Sequence, residues 1–379
     1  MNALPGPDGR PPLIGIVGHA GAYGRWLSNL LGRRMGLAVI GHDPADAGAL
    51  PLTDVVRRAD VLVFSVPIRD TVAVIDACVA LGAGTEAGRL WLDLTSIKQA
   101  PVAAMLRSRA EVAGLHPMTA PPRLDSLRGR TMAVCRARID RWAPWLDALL
   151  AALQADCVEV TPDVHDRAMA LVQGMVHATH MAQGAALRAL APAAGGLDML
   201  HALRSVGYDL DLTVTGRMLA GNPAIYEDIQ FGNPHVPAVL DALAESLADL
   251  RDQVADGGEP ARATVRRRYL GEPAAWIGDA ELAARSYGFE RMGYLQADLA
   301  EPRYLSVFLP EDRPGALREV LAMFEVLGAN LSSIHSSRTP AGELHFRMGL
   351  DALPVPLTEL LAAIEAAGIV RVLDARDDG

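Results

Sequence analysis

The 379-residue chain predicts a doubly wound α/β domain, then an all-helical segment, then a small α+β module. Three observations carry this. Contiguous apolar runs alternate with helix-period stretches up to about residue 160. The strand signal then nearly vanishes to about residue 299. From Arg303 a β-α-β-β-α-β order begins. The expected domains are 12–162, 163–300 and 303–375.

In the first domain, Leu13 to Val17, Ala38 to Ile40, Val61 to Ser65, Leu90 to Leu94 and Thr131 to Cys135 read as strands. Their unbroken apolar character fits a parallel sheet covered on both faces. Helical patterns such as Ala22 to Met35 and Asp70 to Leu81 fall between them. In the second, His165 to Ala191 is a proline-free stretch of Ala, Met, Leu and Gln, the pattern of a helix buried on more than one side. Val236 to Gly257 and Glu281 to Leu299 are also helix-like, and the segment is a candidate dimer core. In the third, Tyr304 to Leu309 alternates as a strand, and Asp312 to about Leu327 reads as a turn into a helix. Asn330 to Ser336 and Leu344 to Leu350 follow as strands, Leu357 to Ala367 as a helix and Val370 to Leu373 as a last strand.

A formal net charge of −10 argues against nonspecific nucleic-acid binding, which needs a basic surface. Cys78, Cys135 and Cys157 have no metal-like spacing and read as buried free thiols. Met1 to Pro12 lacks the apolar core of a signal peptide, and no apolar run reaches membrane-spanning length. The expected location is cytoplasmic, with neither nucleic acid nor membrane as partner.

The segment Ile14 to Gly24 is a strand entering a glycine-rich turn and a helix. Such glycines let backbone approach a pyrophosphate at a helix start. Gly21 and Gly24 match the second and third glycines of the dinucleotide pattern and open the helix with Ala22 and Tyr23. His19 stands where the first is expected, and Gly18 relieves the turn. Downstream, Asp43 can accept from a ribose 2′-hydroxyl and would repel a 2′-phosphate. NAD is therefore expected over NADP, and the plainer reading of Asp43 is a cap before Pro44.

Further ordered motifs are Val63-Phe64-Ser65-Val66-Pro67-Ile68, Asp93-Leu94-Thr95-Ser96-Ile97-Lys98 and Gly114-Leu115-His116-Pro117-Met118. His165-Asp166 then opens the long helix, and Gly216-Arg217 lies within Tyr208 to Leu219. Taken together, the series resembles the prephenate dehydrogenase family. The resemblance implies a Rossmann-like domain, a helical dimerisation domain and NAD-dependent oxidative decarboxylation of prephenate to 4-hydroxyphenylpyruvate in tyrosine biosynthesis. It makes His116 the base on the ring hydroxyl and Ser96 its neighbour at the nicotinamide. Arg217 grips a substrate carboxylate, and His177 and Lys98 line the substrate pocket; Gln173, four residues before His177, shares its helix face and joins that wall by spacing. Ser65, Val66 and Pro67 join the cofactor site. The plainer readings are a structural His116, an internal salt bridge for Arg217 and a solvated Lys98. His177 and His180 have helical metal spacing, but no carboxylate or cysteine accompanies them, so no metal is expected. After Met118 the chain continues Thr119-Ala120-Pro121-Pro122, which departs from the family's usual loop.

The C-terminal segment resembles an ACT module through Asp312, Pro314, Gly315, Ala316 and Leu317, then Asn330 and Leu331. That resemblance implies a homodimer and an aromatic amino acid, tyrosine first, as effector. The competing functions are an arogenate or dual-specificity cyclohexadienyl dehydrogenase and a non-catalytic amino-acid sensor. A β-hydroxyacid dehydrogenase would want a lysine on the helical segment, and His165 to Arg251 has none.

Overall fold

Side chains at alternate strand positions point to opposite faces of a sheet, and in the first part of the chain both sets are buried. Ile14, Ile16, Val61, Val63, Leu90 and Leu92 pack into one core with Trp142, Trp145 and Leu149. Val17, Leu62, Phe64 and Trp91 pack into another with Val55, Ile75 and Met105. The computed structural model describes residues 4–121, 126–300, 303–310, 313–338 and 344–377. It divides into two compact units, Met1–Asp252 and Gln253–Gly379.

Among the described residues the first unit holds a seven-stranded sheet of order β2-β1-β3-β4-β5-β6-β7. The strands are β1 (Ile14–Val17), β2 (Val39–His42), β3 (Val61–Phe64), β4 (Leu90–Asp93), β5 (Glu111–Pro117), β6 (Thr131–Arg138) and β7 (Asp156–Glu159). The sheet is covered by α1 (Ala22–Asn29), α2 (Leu52–Arg58), α3 (Ile68–Gly82), α4 (Gln99–Met105) and α5 (Ala143–Leu153). A π-helical segment, Leu30–Arg34, prolongs α1. Two expectations change here. The sheet is not wholly parallel, because β5 and β6 pair antiparallel. β7 is an exposed edge strand, so Cys157 is exposed while Cys78 and Cys135 are buried.

The same unit continues through α6 (Pro162–Met169), a wider π turn at Ala170–Met175, and α7 (Val176–Leu190). These three make up the long helix. Thr161 starts it, its hydroxyl accepting the Val164 N–H at 3.3 Å ahead of Pro162 in the first turn. α8 (Gly196–Ala202), α9 (Val206–Leu219), α10 (Pro223–Gly232) and α11 (Val236–Asp256) follow. The long helix is not enclosed on several sides within one chain: α7 has no buried residue, and Leu171, Val172 and Leu190 are exposed.

In the second unit α12 (Glu259–Val265), α13 (Glu272–Ile277) and α14 (Asp279–Ala300) precede a ferredoxin-like fold. Its elements are β8 (Arg303–Leu309), α15 (Ala316–Val326), β9 (Leu331–Arg338), β10 (Leu344–Leu350), α16 (Leu357–Ala367) and β11 (Arg371–Asp377). The sheet order is β11-β8-β10-β9 with antiparallel neighbours, over a core that includes Leu305, Val307, Phe324, Met348 and Leu360. Among the described residues no helix is long and apolar enough to cross a membrane.

Candidate active site

After β1 the chain crosses to β2 on one side and returns to β3 on the other, so a crevice opens where β1 and β3 end. In open α/β sheets that switch point is where ligands sit. Gly18 follows β1 with φ +87°, and a Cβ there would overlap the Ser65 carbonyl after β3. A Cβ on Gly24 would overlap the Gly18 carbonyl. Gly21 donates to that same carbonyl at 3.1 Å and stands at the N-cap of α1, whose first turn holds Ala22 and Tyr23. Both glycines therefore keep backbone close packed around an open helix start, a cradle suited to a pyrophosphate. The departure at His19 is accommodated by Gly41: the imidazole occupies the space a Cβ would fill there, and its Nε2 lies 3.0 Å from Asp46. Asp43, just past β2, accepts from Ala20 N at 3.1 Å and Ala45 N at 2.9 Å, tying the turn to the strand end. The capping reading of Asp43 thus has direct geometry. Val66 packs against Gly18, Pro67 caps α3, and the Tyr23 hydroxyl donates to the Thr119 carbonyl.

His116 lies near the carboxyl end of β5 and is buried. Its Nδ1 is 3.0 Å from His165 Nε2, and His165 Nδ1 is 2.7 Å from Asp166 Oδ1. The Asp166 carboxylate also accepts from Lys98 N at 2.7 Å and Gln99 N at 2.9 Å. Asn233 donates to the Asp166 carbonyl at 2.7 Å, fastening α6 to the chain beyond α10. On the other side of the ring, Gln173 Nε2 lies 3.5 Å from His116 Nε2, while Gln173 Oε1 is buried with no hydrogen bond among the described residues. Burial, then the nearby Lys98 charge and His165, hold the His116 pKa well below its ordinary value. The ring is neutral near neutral pH and can accept a proton.

Lys98 departs from both expectations for it. Its side chain has no exposed surface, and its ammonium donates to Asp93 and, at 2.8 Å, to the Leu115 carbonyl. The ammonium is enclosed by these partners, so Lys98 braces the strand end beneath His116 rather than facing substrate or water. Asp93 further accepts from the Thr95 hydroxyl at 2.6 Å. Ser96 lies half-buried on this loop. His177, one turn beyond Gln173, packs edge-on against Tyr226 with centroids 5.0 Å apart, and burial lowers its pKa. His180 Nδ1 lies 2.8 Å from the Val176 carbonyl of its own helix. Arg217 is exposed in the last turn of α9, although its sequence neighbours are largely apolar. Within one chain that face of α9 is open.

Residues 161–265 match the family described as "Prephenate dehydrogenase, dimerization domain". Over 281 residues the chain is 33% identical to 4-amino-4-deoxyprephenate dehydrogenase of Streptomyces pristinaespiralis, covering 69% of this chain and 92% of that protein. The chain belongs to the prephenate dehydrogenase family. A second relative in the prephenate dehydrogenase family, the probable arogenate/prephenate dehydrogenase of Methanocaldococcus jannaschii, is 25% identical over 261 residues, covering 64% of this chain and 56% of that protein. The chain therefore spans little more than half the length of that relative. The fold is shared with a crystal structure of prephenate dehydrogenase from A. aeolicus in complex with hydroxyphenyl propionate and NAD+. The TM-score is 0.54 at 17% identity, covering 69% of this chain and 96% of that one.

In this member of the prephenate dehydrogenase family, His116, Gln173 and Ser96 lie on the carboxyl side of the sheet, and the glycine cradle lies at the same edge. The partners that sequence reasoning missed are His165 and Asp166, recognised as a motif but given no role. The one signal was a histidine–aspartate pair opening a helix. In the second unit Gly315 has φ +90° and open space around it, Ala316 is buried and Leu317 is on the exposed side of α15. Leu331 begins β9. Asn330 is already engaged, its amide donating to Asp351. Asp312 and the end of the departing loop, Pro122, lie outside the described residues.

Proposed function

We propose that this chain is an NAD-dependent prephenate dehydrogenase, converting prephenate to 4-hydroxyphenylpyruvate and CO2. The observation that carries the reading is His116: buried, neutral and held on its Nδ1 side, with Nε2 left beside Gln173. When bound, the dinucleotide supplies the hydride acceptor, and Gly18, Gly21 and Gly24 would hold its pyrophosphate at the start of α1. His116 Nε2 accepts the hydroxyl proton as the ring carbinol is oxidised. The C–CO2 bond then breaks, its electron pair completes the aromatic ring, and the phenolate oxygen takes the proton back. No net proton is released. Arg217 binds a substrate carboxylate and Ser96 positions the hydroxyl; the motif resemblance supports both roles.

Arogenate is the second reading. The Methanocaldococcus relative bears both names, and arogenate differs from prephenate only by an amino group in place of the side-chain keto group. The deciding experiment measures initial rates of NADH or NADPH formation from prephenate, arogenate and 4-amino-4-deoxyprephenate. Prephenate with NAD is expected to be fastest; no turnover of prephenate or arogenate refutes the reading.

The exposed apolar face of the helical segment, with Phe231 at 91% and Leu219 at 74% exposure, supports a homodimer. We also read the C-terminal fold as an ACT module that binds an aromatic amino acid. A cleft of about 280 Å3, lined by Leu309, Pro310, Arg313, Ala316, Gly368 and Ile369, lies beside the Gly315 turn and supports this. Tyrosine inhibition lost in Gly315→Val and not competitive with prephenate fits this role. Competitive inhibition that survives the change places tyrosine at the catalytic pocket instead.

A further inference from the structure

We infer that Asp166 and His165 form a proton relay behind His116, fixing its protonated nitrogen and taking up charge while Nε2 holds the substrate's proton. The inference rests on the reading of His116 as the base, and it makes His165 and Asp166 positioning residues that act through it.

The contacts behind His116 assign its tautomer, and the contact in front is compatible with it. From behind, Asp166 has two backbone N–H donors and can only accept from His165 Nδ1, which therefore carries a hydrogen. His165 Nε2 is then an acceptor, and the 3.0 Å contact requires the hydrogen on His116 Nδ1. From the front, the Gln173 amide nitrogen lies 3.5 Å from His116 Nε2, a placement compatible with a lone pair there. The chain of contacts through His165 leaves Nε2 as the free base. His165 and Asp166 are 2% and 1% exposed, so no bulk water competes for these bonds.

The chemistry needs more than orientation. His116 alone is a weak base, desolvated and close to the Lys98 ammonium. If it kept the proton, an imidazolium would sit unpaired in that place. With the relay, the substrate O–H bond breaks as the Nε2–H bond forms, and the Nδ1 proton passes to His165 Nε2. His116 is then neutral again, and the charge rests on His165 against the Asp166 carboxylate. Once CO2 has left, the phenolate takes the Nε2 proton and His165 returns its own to His116 Nδ1. The oxidant is the nicotinamide dinucleotide of the proposed activity, and the relay carries protons only. The charged and titratable groups around the pair are Asp93 at the end of β4, Lys98 from the loop after it and Cys135 from β6, with Asp163 and His235 beyond Gln99.

The test uses His165→Phe and His165→Gln in the full chain, with the wild-type protein as reference. His165→Phe removes relay and hold: kcat falls about 10²-fold, while KM for prephenate stays within about twofold. In the wild type the acid limb of kcat/KM reports protonation of His116, whose pKa is held down by burial, by Lys98 and by His165. In His165→Phe the last of these influences is gone and the limb moves to higher pH, a shift that a merely structural role would not produce. His165→Gln can still accept the Nδ1 hydrogen but cannot carry a proton, so it retains the tautomer and loses turnover. Nitrogen-15 spectra of the substrate-free wild type should show His116 protonated at Nδ1 near neutral pH. The inference is overturned if the spectra show the Nε2–H form, or if His165→Gln keeps wild-type kcat. A folded His165→Phe with unchanged kcat and acid limb overturns it as well. If His165→Phe does not fold, the wild-type spectra and His165→Gln still decide. A wild-type protein that oxidises none of the substrates refutes the proposed function instead, and the spectra remain a separate reading of the hydrogen-bond geometry.

Discussion

Replacing Lys98 with methionine should be among the most destabilising single changes in the first unit. The methionine fills nearly the same volume but removes an ammonium that meets Asp93 and the Leu115 carbonyl, with no exposed side-chain surface on Lys98 or Asp93. Asp93 would keep its bonds from Thr95 N and the Thr95 hydroxyl, but its charge would be buried unpaired. Breaking a buried pair by deleting one partner typically costs about 3–5 kcal/mol. In a unit this size that lowers the melting midpoint by roughly 6–20 °C. Trp91, buried on the same strand as Asp93, supplies a fluorescence signal for urea and thermal unfolding. Adding Asp93→Leu should recover at least half of the loss, since an apolar pair has no charge left to strand. There is also a functional signature. The Lys98 charge holds the His116 pKa down, so without it His116 protonates at higher pH. The acid limb of the rate profile then moves up. A loss below about 1 kcal/mol, or an acid limb that stays put, would refute the reasoning.

Three further outcomes follow from the site. His116→Asn should lower turnover by about 10² or more with NADH binding unchanged, and full activity in that variant would remove His116 from the chemistry. Arg217→Ala should raise KM for prephenate by about one to two decades, the value of a charged hydrogen bond. Because Arg217 is exposed, unfolding should stay within about 0.5 kcal/mol of wild type; a shift in KM below about twofold contradicts the carboxylate role. Gly24→Val should weaken NADH binding by about tenfold or more as its side chain forces the Gly18 carbonyl aside, measured by fluorescence titration, and unchanged affinity would sink the cradle.

β1 to β4 and β6 were legible because both faces of the sheet are covered: Val61 to Phe64 carries no polar alternation to confuse with anything else. β7 was not legible, because Asp156 to Glu159 is a polar edge strand with the composition of a loop. Nor does composition say that β6 runs against β5, since strand direction is set by the connection and not by the side chains. The ferredoxin-like order was readable because each of its elements is short, periodic and bounded by turn residues. In the site, His116 and the glycines stood out by their place in an ordered series. Lys98 did not show itself as buried, because a charged residue's burial depends on a partner, and here one partner is the Leu115 carbonyl, contributed by the next strand. Arg217 shows the converse: it stands exposed beside apolar sequence neighbours, which do not enclose a side chain when one helical face is left open. His165 and Asp166 reach residues 49 and 68 positions away, and no local pattern announces such contacts.

The π turn at Ala170–Met175 works as a phase shifter. Two ordinary helical turns take up about seven residues, and the wider turn adds one, so positions eight apart come back into line. His165 and Gln173 are eight apart, which is why both flank the same imidazole from one continuous helix. In a uniform α-helix, position 173 would be turned some 80° away from 165 and a different side chain would meet His116. The helix is thus wound in two frames. Its first turns are clocked to His116, and everything from His177 onward follows the second frame. Losing one residue between 170 and 175 would leave His165 in place and rotate Gln173 and His177 away from where they now stand.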